Sequence, residues 1–450
     1  MVSPVPAMRV TRVLIVSDHP TESRAVAVNL RALNLDVQLS LFDGNTLNSI
    51  PKGAPDAVLC HLTDYAEQGP KLAKVIRSHY KSRPIPIIGA MSRPSEDSSA
   101  GFDSTLFAPM HASQIANRVN AMIRLGVMEG EIERRFETLR EDFGQTPSLN
   151  SLGTDRKFRV LFIGKASPSF MVIINALQDK GVDVIAAFTS FSAFDYLHGE
   201  PFDAVVMNAL EQSEPAFSIS DAMRRNSKLY HTPTLFLVDG ETFSDHAGAY
   251  DRGARDIIDM HSDSDEISGR ILELANYHRV HEQMKADFRA LSIGVAGDET
   301  QTAYSQTFLR AHLPRMLRDA EKLGHPTTLM GIRLLPNSVD AVSPAAIEAA
   351  YKQTIDLIGN LIRMQDVLCR WDKDTLIVAF YNTNKAEAGT VLARIKGLLD
   401  CTIYDSGSPG ENGIGVSAQS IIMEVGVGPD GPENIIDKLM ANLRHDADIN

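Results

Sequence analysis

Short apolar runs alternate along this chain with longer stretches whose apolar residues recur every three or four positions. RVLIVSD at 12–18 and PDAVLCHL at 55–62 read as buried strands, and the intervening ESRAVAVNLRALN has the period of an amphipathic helix. The series then returns, as RVLFIGK at 159–165 and FDAVVMNA at 202–209, with FMVIINALQDKG as the helical stretch between them. Arg12 and Arg159, Asp56 and Asp203, and Pro86 and Pro233 are each 147 positions apart, so register is kept across three strands. Strand and helix alternate in both copies, which predicts two doubly wound parallel sheets, each covered on both faces.

The copies differ between strands four and five. Gly101 of GFDSTLFAP and Gly253 of GARDIIDMH open equivalent segments but are 152 apart, so the first copy is five residues shorter there. Its remaining RPSEDSSAG is polar and reads as loop, leaving no room for a full helix. Each copy ends in a long helical pattern, 112–142 and 265–291, whose later turns become charged. The polar FGQTPSLNSLGTDRK separates the copies.

From residue 297 the pattern changes. A helix to about Leu323 is followed by the strand TTLMGIRLL and the helix PAAIEAAYKQTIDLIGNLIR. Next come a hairpin, the helix KAEAGTVLARIKGLLD, strands near TIYD and SIIMEVGV, and a last helix, ENIIDKLMANLRH. This succession predicts an antiparallel sheet with helices on one side. Domain boundaries are expected at 9–144, 155–293 and 297–450.

Composition narrows the function classes. With 44% hydrophobic and 22% charged residues the chain can build real cores, and a formal charge of -13 argues against a broad nucleic-acid surface. Cys60, Cys369 and Cys401 are too few and too scattered for a disulfide framework or a zinc site. The N-terminal stretch lacks the pattern of a signal peptide, and no run is long enough to insert in a membrane, so a cytoplasmic location is expected.

The most informative chemistry lies in RMQDVLCRWDKDTLIVAF, residues 363–380. Arg363 and Asp366 stand three apart, one helical turn at the end of a helix, which is expected to put both groups on one side, and two apolar arms that turn at Asp372 and Lys373 follow. A guanidinium offers a bidentate fork to guanine O6 and N7, and a carboxylate accepts from guanine N1 and N2. With the spacing of the turn that follows, this stretch resembles the GGDEF family, the diguanylate cyclases that join two GTP into cyclic di-GMP. The resemblance implies a product-binding RxxD motif at Arg363 and Asp366, completed by Arg394 on the next helix. It also implies a catalytic turn at Asp372, Lys373, Asp374, Thr375 and Leu376. Here the pattern breaks. The family's two Mg²⁺ carboxylates fall at Arg333 and Thr375, and its two glycines at Asp372 and Lys373, so a retained binding motif and a degenerate catalytic one are expected, with no resident metal or cofactor.

The two repeated units resemble the receiver domains of response regulators, which is a flavodoxin-like fold. That family needs an acidic pair, an acceptor Asp, a Thr or Ser, and a Lys. The first copy offers Ser17, Asp18, His61, Met91 and Ala108 at these positions, and the second Gly164, Lys165, Asn208, Val238 and Met260, so neither is expected to carry out phosphotransfer. The expected fold class is therefore α/β, with two receiver-like domains followed by an α+β, nucleotide-cyclase-like GGDEF domain.

Receiver, receiver, GGDEF is the order of PleD-type response regulators. The resemblance to non-catalytic paralogues of that type implies a cyclic di-GMP effector recruited to a cell pole. It would help deliver a cell-cycle regulator to the ClpXP protease through an accessory adaptor, and a homodimer is a further expectation. Those paralogues keep an acceptor Asp in the first receiver, where this chain has His61. A nucleotide-free receiver scaffold and a weak diguanylate cyclase are the alternative readings.

Overall fold

The computed structural model describes residues 10–45, 47, 53–80, 85–92, 101–149, 156–291, 294–299, 301–337, 343–404, 413–426 and 431–449. The loop expected at 93–100 and the middle of the linker, 150–155, lie outside them. The described residues form three sheets.

The first sheet comprises β1 (Thr11–Ser17), β2 (Leu35–Leu41), β3 (Ala57–Leu62), β4 (Ile87–Met91) and β5 (Ser104–Phe107), in the order β2-β1-β3-β4-β5. The second comprises β6 (Phe158–Ile163), β7 (Val182–Ala187), β8 (Ala204–Asn208), β9 (Thr234–Val238) and β10 (Ala254–Asp259), in the order β7-β6-β8-β9-β10. Both are wholly parallel with the flavodoxin-like strand order. The repeat holds at the level of single pairs. Val13 faces Ala57 as Val160 faces Ala204, and Ile88 faces Ser104 as Leu235 faces Asp256. All six side chains of β3 are buried, as a central strand covered on both faces requires.

One polar feature is repeated with the strands. Asp56 and Asp203 are buried, and each accepts the backbone N–H of the Arg at the start of its neighbouring strand, Arg12 or Arg159, at 2.9 Å. This explains why Arg and Asp recur with the apolar runs. Asp203 is also held by Arg156 at 2.6 and 3.0 Å and by Arg279 at 3.3 Å.

The chain divides into two compact units. One contains both receiver-like copies, residues 10–126 and 151–283. Inside it the copies pack through their fifth strands and last helices. Arg118 and Arg270, which are equivalent residues 152 apart, each cross to the other copy. Arg118 pairs with Glu273 at 3.0 Å, and Arg270 donates to the carbonyls of Phe107 and Ala108 at 2.8 Å while pairing with Asp256 at 3.0 Å.

The other unit contains 127–150 and 284–450. Its sheet comprises β11 (Tyr304–Ser305), β12 (Thr327–Pro336), β13 (Val367–Arg370), β14 (Thr375–Tyr381), β15 (Ile403–Tyr404) and β16 (Ile414–Val425), in the order β11-β13-β14-β12-β16-β15. All pairs are antiparallel except β11 with β13. The expectation of helices on one side only is corrected here. All seven residues of β14 are buried, with Ile377, Ala379 and Tyr381 entering one core and Leu376, Val378 and Phe380 the other. Helices Gln306–Leu323 and Pro432–Ile449, with the distal part of the helix Ala112–Asp142, cover the first face. Helices Pro344–Leu361 and Lys385–Asp400 cover the second. No helix among the described residues is long and apolar enough to cross a membrane.

The Asp203 cluster yields a prediction. Asp203→Ala removes a fully buried carboxylate from Arg156 and Arg279 and should cost about 3 kcal/mol in urea unfolding. A loss under about 1 kcal/mol would show that the cluster contributes no more than a surface ion pair.

Candidate functional site

The helix Pro344–Leu361 stops two residues before Arg363. Arg363 and Asp366 therefore lie in the turn after the helix, not one helical turn apart on it as the periodicity suggested. The turn closes through Asp366 N–H to the Arg363 carbonyl at 3.0 Å, and the Asp366 Oδ2 accepts the Arg363 N–H at 2.9 Å. As a result the two side chains part: Arg363 is exposed, whereas Asp366 is buried. Its Oδ1 has no hydrogen-bond partner among the described residues. Burial pushes the carboxyl up to about 7, against the opposing pull of the Arg363 N–H and guanidinium. Arg394, exposed on the helix Lys385–Asp400, donates to the carbonyl of Leu361, so it reaches the end of the helix that leads into Arg363.

A buried network of charges from the helix Ala112–Asp142 holds this turn. Arg135 donates to the Asp366 carbonyl at 3.0 Å and to Glu131 at 2.7 Å. Glu131 has zero exposure and also pairs with Arg134 at 3.0 Å and His312 at 3.2 Å. Burial alone would raise the Glu131 carboxyl, but His312, Arg135 and Arg134 together hold it well below the usual carboxylate range. These residues were missed because charged turns in a long terminal helix read as solvated. Ile132, Phe136 and Leu139, interleaved with them at helical spacing, were the signal that this part of the helix is packed.

The signature turn sits nearby and is differently filled. Arg333 on β12 faces Thr375 on β14 in register, so the two metal-ligand positions are brought together. Arg333 pairs with Asp374 at 3.1 Å, and the Thr375 hydroxyl donates to the other Asp374 oxygen at 2.7 Å. Trp371 N–H to Thr375 O, at 2.8 Å, closes the hairpin over Asp372 and Lys373. Arg370 donates to the Lys373 carbonyl at 2.7 Å and pairs with Glu348 at 2.7 Å and Asp298 at 3.5 Å. The residues present do not fit a divalent cation. A hard metal needs several oxygens free of cations, and the one carboxylate aimed at these positions is already neutralised by Arg333.

In the receivers, Asp18 accepts the backbone N–H groups of Thr63, Asp64 and Tyr65 at 2.8 to 3.0 Å. His61 is buried beside Ser17, and burial holds its imidazole below its ordinary value. Asn208 donates to Ser169 at 2.9 Å and accepts the Leu210 N–H at 3.0 Å, keeping its loop closed without a charge. A Cβ on Gly164 would come within 2.4 Å of Asn208, so the glycine at an acidic position is required by close approach.

No protein-family model matches the chain. The response regulator PleD of Caulobacter vibrioides is 20% identical over 428 residues, which is 92% of this chain and 91% of PleD. The chain is similar to PleD over almost its whole length. Among solved structures, the GGDEF domain of FimX from Pseudomonas aeruginosa is 12% identical, with a TM-score of 0.31, over 34% of this chain and 95% of that domain. A response regulator from Thermotoga maritima is 22% identical, with a TM-score of 0.24, over 27% of this chain and 98% of that protein. The chain's two parallel, flavodoxin-like sheets and its third, mostly antiparallel sheet are all spanned by the similarity to PleD, and Arg363, Asp366 and Arg394 lie in the third part.

Asp366 gives a pH prediction. Its folded-state pKa lies above the unfolded value of about 4, so between roughly pH 4 and 7 the native state binds more protons and stability falls as pH rises, then levels off. Asp366→Asn keeps an acceptor for the Arg363 N–H and removes the titration. Urea unfolding should show the variant gaining on the parent by roughly 3 kcal/mol between pH 5 and 8. Parallel pH profiles for the two proteins would sink this.

Proposed function

We propose that this chain is a non-catalytic cyclic di-GMP effector that binds the dinucleotide at the Arg363 turn. One observation carries the reading: Arg333 pairs with Asp374 where the family holds metal, while Arg363 is exposed and a buried Asp366 oxygen has no partner among the described residues. A guanine N1–H or N2–H would satisfy that oxygen, and Arg363 would take O6 and N7 or a phosphate. Arg394 would exchange the Leu361 carbonyl for the ligand. The reading includes the wider resemblance to PopA, the effector paralogue of PleD. On that resemblance the protein is recruited to a cell pole and acts as an adaptor that helps pass a cell-cycle regulator to ClpXP through an accessory adaptor.

Calorimetry with cyclic di-GMP tests the site. The parent should bind at low micromolar ligand or better. Arg363→Ala should bind about ten- to a hundredfold more weakly, as expected for loss of a bidentate guanine contact of about 1 to 3 kcal/mol, with stability changed by under about half a kcal/mol. Equal affinity in both proteins, or none in the parent, would leave the nucleotide-free scaffold in its place. Separately, GTP and Mg²⁺ should yield no cyclic di-GMP. Product formation that depends on Asp374 would overturn the non-catalytic assignment.

A further inference from the structure

The internal repeat supplies its own control for a second site. In the first copy Arg77, at the end of the helix Gly69–His79, pairs with Asp103 at 2.8 Å just before β5. The equivalent residues in the second copy are Arg224, 147 further on, and Arg255, 152 further on. The surroundings correspond as well. Ala73 lies against Gly101, and its equivalent Ser220 lies against Gly253. An acid has thus been exchanged for a base where its partner is still an arginine.

The exchange leaves positive charge uncompensated. Arg255 is partly buried, and no carboxylate among the described residues pairs with it. Burial is the main influence lowering its affinity for its own proton; the like charges of Arg124 and Arg224 act in the same direction, against the opposing pull of Tyr277 and Tyr230. Arg224 is fixed in place, donating to the Asp251 carbonyl and packing so closely on Gly253, at φ +108, that a Cβ there would fall 2.4 Å from it. Arg124 comes from the last helix of the first copy, so the three arginines converge from both copies on one cavity of about 220 Å³. Asn117 and Thr232 add polar groups to its wall, and Tyr230 and Tyr277 add ring surface.

We propose that this cleft between the two receiver-like copies binds a small phosphorylated anion, with Arg255, Arg224 and Arg124 as its ligands. Guanidinium forks match phosphate oxygens in bidentate fashion, and a buried cation with no counter-ion is costly until an anion arrives. The volume suits a phosphate or pyrophosphate group with a few waters, at about 30 Å³ per water. The site lies among residues that belong to neither the phosphoacceptor positions nor the Arg363 turn. It offers an input to receivers whose acceptor positions hold His61 and Asn208.

The test uses the full chain carrying Arg363→Ala, so that the cyclic di-GMP site cannot contribute, with pyrophosphate as the probe. Pyrophosphate should raise Tm beyond sodium chloride at matched ionic strength, and calorimetry should give saturable binding. Arg124→Gln, on an exposed side chain, should weaken that binding at least about tenfold. Arg255→Asp rebuilds the ion pair of the first copy. It should raise Tm without pyrophosphate and lose the response to it. A pyrophosphate effect no larger than that of the salt control, or one that survives both substitutions undiminished, would overturn the assignment.

Discussion

Glu131 is the charge on which the turn at Arg363 and Asp366 depends. At zero exposure it stays ionised because Arg134, Arg135 and His312 surround it, and Arg135 spends its remaining donors on the Asp366 carbonyl and on Tyr304. A buried carboxylate is stable only when its partners are complete, so the network is closed or costly, with little in between. Asp366 is thereby held at its backbone by a cation, while its buried carboxyl keeps one oxygen without a hydrogen-bond partner among the described residues. The ligand proposed for this turn would supply the donor.

The same physics, run the other way, accounts for the signature turn. The charges nearest the two ligand positions are answered locally: Arg333 by Asp374, and Arg370 by Glu348 and Asp298. Internal pairs of this kind compete with any metal for the same carboxylates. The contrast between a sated cluster at the turn and an unsated one at Arg363 and Asp366 is what favours binding over catalysis in the function proposed for this chain.

Much of this was legible in sequence because it is periodic. The alternation of strand and helix in both receiver-like copies, the five-residue offset before strand five, and the hairpin after Asp366 all follow from apolar spacing that survives in three dimensions, whereas the strand order came with the resemblance to receiver domains. The cross-strand pairing of Arg333 with Thr375 was legible through the family pattern. What was not legible concerns charges whose surroundings come from distant parts of the chain. Glu131 and Arg135 read as solvated helix turns, because only packing against Phe288, Tyr304 and His312 buries them. Asp366 read as a helix-face partner of Arg363, because nothing local reveals that the helix stops at Leu361. The two-sided cover of the third sheet was missed for a related reason: β14 is apolar from Leu376 to Phe380, and a continuous apolar run says that both faces are buried without saying by what.

Duplication makes the remaining argument possible. Two copies with the same strand register share most of their polar solutions, as Asp56 and Asp203 show by holding the same N–H in each. Where they diverge, the divergence marks a position freed from the common requirement of folding. His61 and Asn208 diverge toward neutrality, and each is accommodated without a charge. Arg255 diverges the other way, replacing an acid that neutralised its neighbour with a second cation. Folding alone gives no reason to keep it, since the first copy folds with Asp103 paired to Arg77. A charge that folding does not need, placed where two copies meet and with no paired carboxylate among the described residues, is the charge that the proposed anion would answer.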